Sequence, residues 1–340
     1  MATYKAAQFT GYGGVDKIEI NDATVPVLAS NDVLIKVHAA SLNPIDWKIA
    51  EGQLKMISKS TFPLRTGYDV SGVIEAVGTA VTTFSVGQAV YSRVGETAGT
   101  VAEFVVTQVE KIALKPTSLS HEEAAGIPLT ALTAYQALDR AGFKNRTTRK
   151  FFVPAGAGGV GHMAIQLAKH SFNAEEVATT VSEKKIDIVK SLGADVVVDY
   201  HKDDFTQVLK DYDMAFDTTG EAIKQLAILK EGGSLYSIAT IPDGDEIMKA
   251  LGSVGFVTRK LLDVLSLRYR WAAQKKKVDY HYVFMSPNGA QLKEIAELAD
   301  SGKLKVLVDS THPFTLEGVR AAFERQKSGR ATGKVIIKMI

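Results

Sequence analysis

A chain of 340 residues, 46% of them hydrophobic, is long enough for two domains of about 100–200 residues and apolar enough to give each a core. Charge nearly balances at +2, which argues for neither a nucleic-acid nor an acidic-lipid partner, and no run of about 18 apolar residues predicts a membrane span. Cysteine is absent, which excludes disulfides, thiolate nucleophiles and Cys-ligated zinc or iron–sulfur clusters. The seven histidines are scattered without H-x-x-x-H or H-E-x-x-H spacing, so no metal site is expected. The N-terminus reads as a strand rather than a signal peptide, and a cytoplasmic location is the expectation.

In chain order, residues 1 to about 115 read as short strands and turns: 33–40, 70–78, a strand reached through 84–91, and 102–106. Such spacing predicts a compact, barrel-like β domain. Ser120 followed by His121-Glu122-Glu123 is a helix start, interrupted near Pro128 and resuming through Tyr135. This helix would carry Thr130 and Thr133, or serve only as a connector. From Lys150 strands and helices alternate: strands at 151–154, 177–181, 196–199, 214–217 and 234–239, helices from 159, over 184–192, through 209 and over 221–229. That rhythm predicts a parallel, doubly wound sheet. Residues 241–279 break it and are basic, through Arg259, Lys260, Arg268, Arg270 and Lys275-Lys276-Lys277, as a solvated helix face, a lid or an anion site. A sixth strand at 280–285, a helix at 291–300, a helix at 315–326 and a strand at 334–338 complete the chain. The terminal part is expected to pack back on the N-terminal β domain.

Phe151-Phe152-Val153-Pro154 runs into Gly156-Ala157-Gly158-Gly159-Val160-Gly161 and then into a helix. Strand, Gly-x-Gly-x-x-Gly and helix, in that order, make a dinucleotide phosphate site. One glycine allows the tight turn, one lets backbone N–H groups reach the pyrophosphate, and one lets helix and strand pack closely. The helix N-terminus faces the phosphates with its partial positive charge. About 20 residues on, the second strand ends Thr180-Val181-Ser182-Glu183-Lys184-Lys185. Ser182 can donate to a 2′-phosphate and Lys184 can neutralise it, which favours NADPH. Glu183 keeps NADH open as a ribose carboxylate displaced by one position, and a solvent-facing helical turn would explain the same residues.

The motifs taken together resemble the medium-chain dehydrogenase/reductase superfamily, in its zinc-free quinone oxidoreductase and enone reductase branch. The marks are Ser41-Leu42-Asn43-Pro44-Ile45-Asp46-Trp47-Lys48, Gly67-Tyr68-Asp69 through Gly78, Leu132-Thr133-Ala134-Tyr135, the glycine turn, Lys190 to Asp195, and Gly329 to Val335. The resemblance implies a GroES-like catalytic domain over 1–120 and 287–340 and a Rossmann NADP-binding domain over 121–286. It also implies a homodimer paired through the strand near 280–285. Asn43 and Tyr68-Asp69 stand where zinc-dependent members carry ligands, so a zinc-independent reaction is implied. Gln53-Leu54 follows Gly52, so the tyrosine of the acyl-thioester reductases is not apparent.

By resemblance, Asn43 and Lys48 are the catalytic candidates, and Asn43, Trp47 and Phe284 bind substrate in a cleft lined by 43–48. Gly158, Gly159 and Val160 hold the pyrophosphate, Ser182 and Lys184 the 2′-phosphate, Tyr200 the adenosine ribose or phosphate, and Thr133, Thr240 and Phe284 frame the nicotinamide. The expected activity is hydride transfer from NADPH to a small molecule, either a quinone or the C=C bond of an α,β-unsaturated ketone or aldehyde. The alternative is a catalytically weak NADPH-binding scaffold or redox sensor. Surface pairing of Asp46 with Lys48 and ordinary packing of Trp47 are the structural alternatives at the first site.

Overall fold

The computed structural model describes residues 3–57, 59–95, 99–146 and 149–340. It divides into two compact units, Met1–Leu132 with Pro287–Ile340, and Thr133–Ser286.

The first unit opens with a hairpin of β1 (Thr3–Phe9) and β2 (Ile18–Thr24), in which Phe9 faces Ile18. Then come β3 (Asp32–Leu42), α1 (Pro44–Ala50), β4 (Leu64–Arg65), β5 (Asp69–Val77), β6 (Ala89–Arg93), β7 (Phe104–Gln108) and β8 (Ile112–Leu114). Four of these differ from the sequence expectation: β2, β4 and β8, and α1, whose residues read as a loop. Yet α1 has a local cause. Asn43 is an extended N-cap, Pro44 occupies the first helical turn, and the Asp46 carboxylate accepts the Asn43 N–H at 2.7 Å.

α2 (His121–Ala125) is capped by Ser120, whose hydroxyl accepts the Glu123 N–H at 3.2 Å while the Glu123 carboxylate accepts the Ser120 N–H at 2.9 Å. The chain restarts at Pro128 in α3 (Pro128–Arg140). α2 packs against β3 and β5. The domain division expected at 120/121 therefore falls instead at 132/133, because α2 buries Ala124 and Ala125 in the first unit.

The second unit alternates without exception over its first five strands. It contains β9 (Lys150–Val153), α4 (Gly159–His170), β10 (Glu176–Val181), α5 (Ile186–Ser191), β11 (Val196–Asp199) and α6 (Phe205–Val208). β12 (Tyr212–Asp217), α7 (Ala222–Gln225), β13 (Leu229–Ser237), α8 (Gly244–Leu251), α9 (Phe256–Lys275) and β14 (Asp279–Tyr282) follow. The strands form one sheet in the order β11-β10-β9-β12-β13-β14, and every pairing is parallel. This is the doubly wound dinucleotide-binding arrangement. The strand order reverses between β9 and β12, and ligands bind such sheets outside the carboxyl ends of the strands at that point. Its core joins Phe152, Ala178, Tyr212, Ala215 and Leu235 to Tyr269 and Ala273 of α9.

Two elements differ from expectation. The helix over 221–229 shortens to α7 and a single 3-10 turn, because Gly232-Gly233 lies inside β13. The basic segment 241–279 is two helices, α8 and α9.

α10 (Gly289–Asp300), β15 (Val308–Pro313), α11 (Leu316–Lys327) and β16 (Lys334–Lys338) belong to the first unit. Its larger sheet runs β15-β16-β3-β5-β6-β8, with β7 also paired to β3. β3, paired to β5, β7 and β16, is buried almost throughout with Lys36 exposed, as expected of a strand covered on both faces. α2 packs on β16 as well, and β16 pairs antiparallel to β3 with Val335 opposite Leu42. That register brings a C-terminal lysine to the start of α1.

Candidate functional site

The glycine turn joins the end of β9 to α4 in the second unit. Gly158 is the extended N-cap of α4, and Gly159 and Val160 open the helix, half-exposed. The glycines have separate tasks. A Cβ on Gly156 would lie 2.2 Å from Thr179 Oγ1 on β10, and one on Gly161 would lie 2.3 Å from the Ala155 carbonyl. These two bring turn, strand and helix together. A Cβ on Gly158 would meet only Ala155, at 3.1 Å from its carbonyl oxygen. That side is open, so the turn fits a dinucleotide pyrophosphate lying against the Gly158–Val160 backbone at the positive end of α4.

Four of the other candidates, Ser182, Tyr200, Thr240 and Phe284, follow the carboxyl ends of neighbouring strands. Ser182 follows β10 and is half-buried, and no backbone N–H of the turn it caps bonds to its hydroxyl. Lys184 is exposed, with no carboxylate of the described residues in salt-bridge range. Glu183 is engaged by Lys202, at 2.9 Å, a residue that the sequence did not single out. Tyr200 follows β11, exposed and 4.3 Å ring to ring from His201. Thr240 follows β13, and its hydroxyl bonds to Tyr280. Phe284 lies beyond β14, 4.8 Å ring to ring from Tyr282, and its carbonyl accepts from Arg140 at 3.0 Å. Thr133 is buried on α3. Thr130 points its hydroxyl back to its own helix, bonding the Gly126 and Ile127 carbonyls at 3.1 Å.

Asp217, buried at the end of β12, fixes two of these loops. One oxygen accepts the N–H groups of Thr219, Gly220 and Glu221 and the Gln225 amide; the other accepts the Ser237 hydroxyl at 2.8 Å. Ser237 Oγ in turn accepts the N–H groups of Ala239 and Thr240, each at 3.1 Å. Thr218 bonds the Pro154 carbonyl at 3.1 Å and ties the β12 loop to the glycine turn. Only the strand-end position of Asp217 was visible in the sequence, not its partners.

In the first unit, α1 places Asp46, Trp47 and Lys48. Asp46 is not a surface partner of Lys48. Its carboxylate is buried and accepts from Asn43 N at 2.7 Å, Gly67 N at 2.8 Å and Thr66 Oγ1 at 3.2 Å. Asn43 is buried too. Its amide donates to Asp69 at 2.9 Å, and its oxygen accepts from Lys334. Asp69 also accepts the Ser41 hydroxyl at 2.9 Å and the Leu129 N–H at 2.8 Å. Lys334 donates to the Leu42 carbonyl at 3.1 Å and lies 3.5 Å from Asp69. Exposure is 0% for Asp69 and 2% for Lys334. The asparagine expected to face substrate is thus the centre of a closed polar network under α1.

Trp47 is half-buried against the cluster of Leu42, Ala50 and Phe323, and its indole N–H has no partner among the described residues. Lys48 is half-exposed, 5.7 Å from the centre of the Trp47 ring, with no carboxylate of the described residues in salt-bridge range.

Burial pushes the Asp46 carboxyl up to about 6, against the lowering by the Asn43 and Gly67 N–H groups; the Asp69 charge raises it further and Lys334 lowers it. With a folded value above the ordinary 3.8, the folded state holds more protons than the unfolded chain between about pH 4 and 6, so this group costs stability as pH rises through that window. The stability of wild type relative to Asp46→Asn should improve by about 3 kcal/mol on lowering the pH from about 7 to about 4. Urea unfolding at stepped pH measures it, and a pH-independent difference would refute the shift.

Zinc does not fit this site. The chain has no cysteine; Asn43 and Asp69 are bound into the network above; and among the described residues no group of three His, Cys, Asp or Glu side chains is placed to hold a metal.

Residues 29–117 match the family described as alcohol dehydrogenase GroES-like domain, and residues 192–337 the one described as zinc-binding dehydrogenase. The chain is 36% identical to a 2-methylene-furan-3-one reductase of Solanum lycopersicum, over 99% of this chain and 79% of the relative. It is 35% identical to an NADPH-dependent alkenal/one oxidoreductase, chloroplastic, of Arabidopsis thaliana, over 98% and 79%. The solved quinone oxidoreductase of Coxiella burnetii superposes with a TM-score of 0.84 at 31% identity, over 100% of both chains.

Proposed function

The chain belongs to the medium-chain dehydrogenase/reductase superfamily, and from that premise we propose an NADPH-dependent, zinc-independent reductase of quinones or of the C=C bond of α,β-unsaturated ketones and aldehydes. The observation that carries the reading is likeness, over 98–100% of this chain, to proteins named as 2-methylene-furan-3-one reductase, alkenal/one oxidoreductase and quinone oxidoreductase, in a chain where no three metal-binding side chains among the described residues come together.

When bound, NADPH supplies hydride; the chain's residues bind, orient and stabilise. The Gly158–Val160 backbone receives the pyrophosphate, and Thr133, Thr240 and Phe284 bound the nicotinamide. Tyr200 lies against the adenosine half. Reduction leaves negative charge on the acceptor oxygen. Lys48, with no carboxylate partner, supplies the positive charge that stabilises it. The proton at the α-carbon comes from Lys48 Nζ or from solvent. Trp47 offers the exposed part of its ring to a flat acceptor. Asn43 acts as a positioning residue: it holds the start of α1 through Asp69 and Lys334 and so fixes the direction of Lys48.

NADPH is favoured over NADH because Lys202 engages Glu183, which leaves Ser182 and Lys184 for a 2′-phosphate. A Ser182→Ala/Lys184→Ala double variant should lose about tenfold or more of its preference for NADPH over NADH, on the scale of one or two charge-assisted bonds. The ratio of kcat/KM values measures it, and an unchanged ratio would sink the assignment.

A homodimer paired through the exposed edge of β14 completes the proposal, with sedimentation as its measure. A cytoplasmic location is the sequence-based proposal, set against relatives that are named chloroplastic or mitochondrial. Loss of NADPH absorbance with a quinone, an alkyl vinyl ketone and a 2-alkenal tests the activity, and product analysis separates C=C from quinone reduction. Tight NADPH binding without turnover on the whole panel would favour the scaffold alternative.

A further inference from the structure

Helix α9, which the reductase reading leaves without a task, has two opposed faces. Leu262, Ser266, Tyr269 and Ala273 are buried, Tyr269 and Ala273 in the core of the second unit. At 3.6 residues per turn the opposite side is centred on Val257, Val264 and Trp271. These are 79%, 68% and 58% exposed, and Phe256, at the start of the helix, is 73% exposed. Leu261 and Leu267 flank them and are exposed as well. A soluble helix normally presents charge here.

Most charges on and just after this helix are basic. Arg259 pairs with Asp245, Arg270 with Asp243 at 3.7 Å and Lys277 with Glu231 at 2.6 Å, while Arg268, Lys275 and Lys276 have no carboxylate of the described residues in salt-bridge range. Between 256 and 277 there are seven Lys or Arg residues and one Asp. Asp263 is the exception, and it lies toward the buried side, accepting the Gly244 N–H at 2.9 Å and pairing with Lys260 at 3.6 Å. Lys260, Arg268 and Lys275 fall among the exposed apolar residues. Lys275 sits 4.2 Å from the centre of the Trp271 ring.

We infer that α9 is an interfacial helix that docks on an anionic phospholipid surface, with Val257, Leu261, Val264, Leu267 and Trp271 entering the headgroup region and Lys260, Arg268 and Lys275 meeting lipid phosphates. A basic helix with an exposed aliphatic and tryptophan stripe has the composition of surface-lying helices, and each basic residue near an anionic leaflet adds attraction. The charge argues against a second copy as the occupant. Two-fold pairing of this face would set the basic side chains of one copy against those of the other, while an anionic lipid surface complements them. The inference is independent of the reductase reading, since no residue of the face is placed in the redox site.

Cosedimentation of the full chain with phosphatidylcholine vesicles containing roughly one third phosphatidylserine tests it. Binding is expected to these and not to phosphatidylcholine alone, with a blue shift of tryptophan emission that Trp271→Phe removes. Val264→Glu/Trp271→Glu should weaken partitioning by about tenfold or more. Both positions are exposed, and retained turnover of a water-soluble quinone, or retained NADPH binding if the chain does not turn over, shows that the variant is folded. Lys260→Glu/Arg268→Glu should remove the preference for anionic vesicles. Absence of binding, or binding that both variants leave intact, overturns the inference. So does a dimer in sedimentation that Val264→Glu/Trp271→Glu splits, which would make the face an interface between copies.

Discussion

Lys334→Met is expected to destabilise the first unit by about 3–5 kcal/mol, the cost of removing one partner from a buried ion pair. The substitution keeps side-chain length, so little cavity is made. The loss arises elsewhere. Burial holds the Lys334 ammonium below its ordinary pKa, with the Asp69 and Asp46 charges opposing that shift. Without the ammonium, Asp69 is a carboxylate at 0% exposure, supported among the described residues by Ser41, Asn43 and the Leu129 N–H. The Leu42 carbonyl and the Asn43 oxygen also lose their donor. Adding Asp69→Asn should recover at least half of the loss, because no charge then remains buried and the Asn43 amide can turn over to match its new neighbour. Urea unfolding of the two single variants and the double variant gives the coupling. A single-variant loss below about 1 kcal/mol would place the network in the range of surface ion pairs and refute its structural weight.

Gly158→Val should weaken cofactor binding strongly while leaving the fold intact. Its Cβ would have only Ala155 for a neighbour, at 3.1 Å, so the β-branched side chain projects into the open side of the turn where the pyrophosphate is received. Affinity for NADPH should fall by about a hundredfold or more, near 3 kcal/mol, with thermal unfolding close to wild type. Gly161→Ala should do the reverse. Its methyl would stand 2.3 Å from the Ala155 carbonyl and 2.9 Å from the Gly156 backbone, and such overpacking costs about 1–3 kcal/mol of stability. Calorimetric titration and thermal melts of the two variants separate the roles. Wild-type affinity in the Gly158 variant would remove the turn from the cofactor site.

Much of the second unit could be read from the sequence because its information is local. Strand, turn and helix are contiguous from Phe151 to Lys169, and phosphate recognition uses backbone groups that only small residues expose. Alternation of strands and helices predicted the parallel sheet for the same reason. The helix α1 is equally local: Asn43, Pro44 and Asp46 stand at its cap, first-turn and N3 positions.

The sequence by itself determined that thiol and disulfide chemistry are absent, that a dinucleotide turn is present, and that a doubly wound sheet surrounds it. Only the tertiary structure decided what Asn43 does, because its partner Lys334 lies 291 residues away and arrives through the pairing of β16 with β3. No periodicity records such a contact; strand register creates it. The same holds for α9. A net charge of +2 gives no argument for an acidic-lipid surface, but a sum carries no direction. Once Leu262, Ser266, Tyr269 and Ala273 are buried, the remaining side of the helix must face outward, and the basic and apolar residues it carries become one surface.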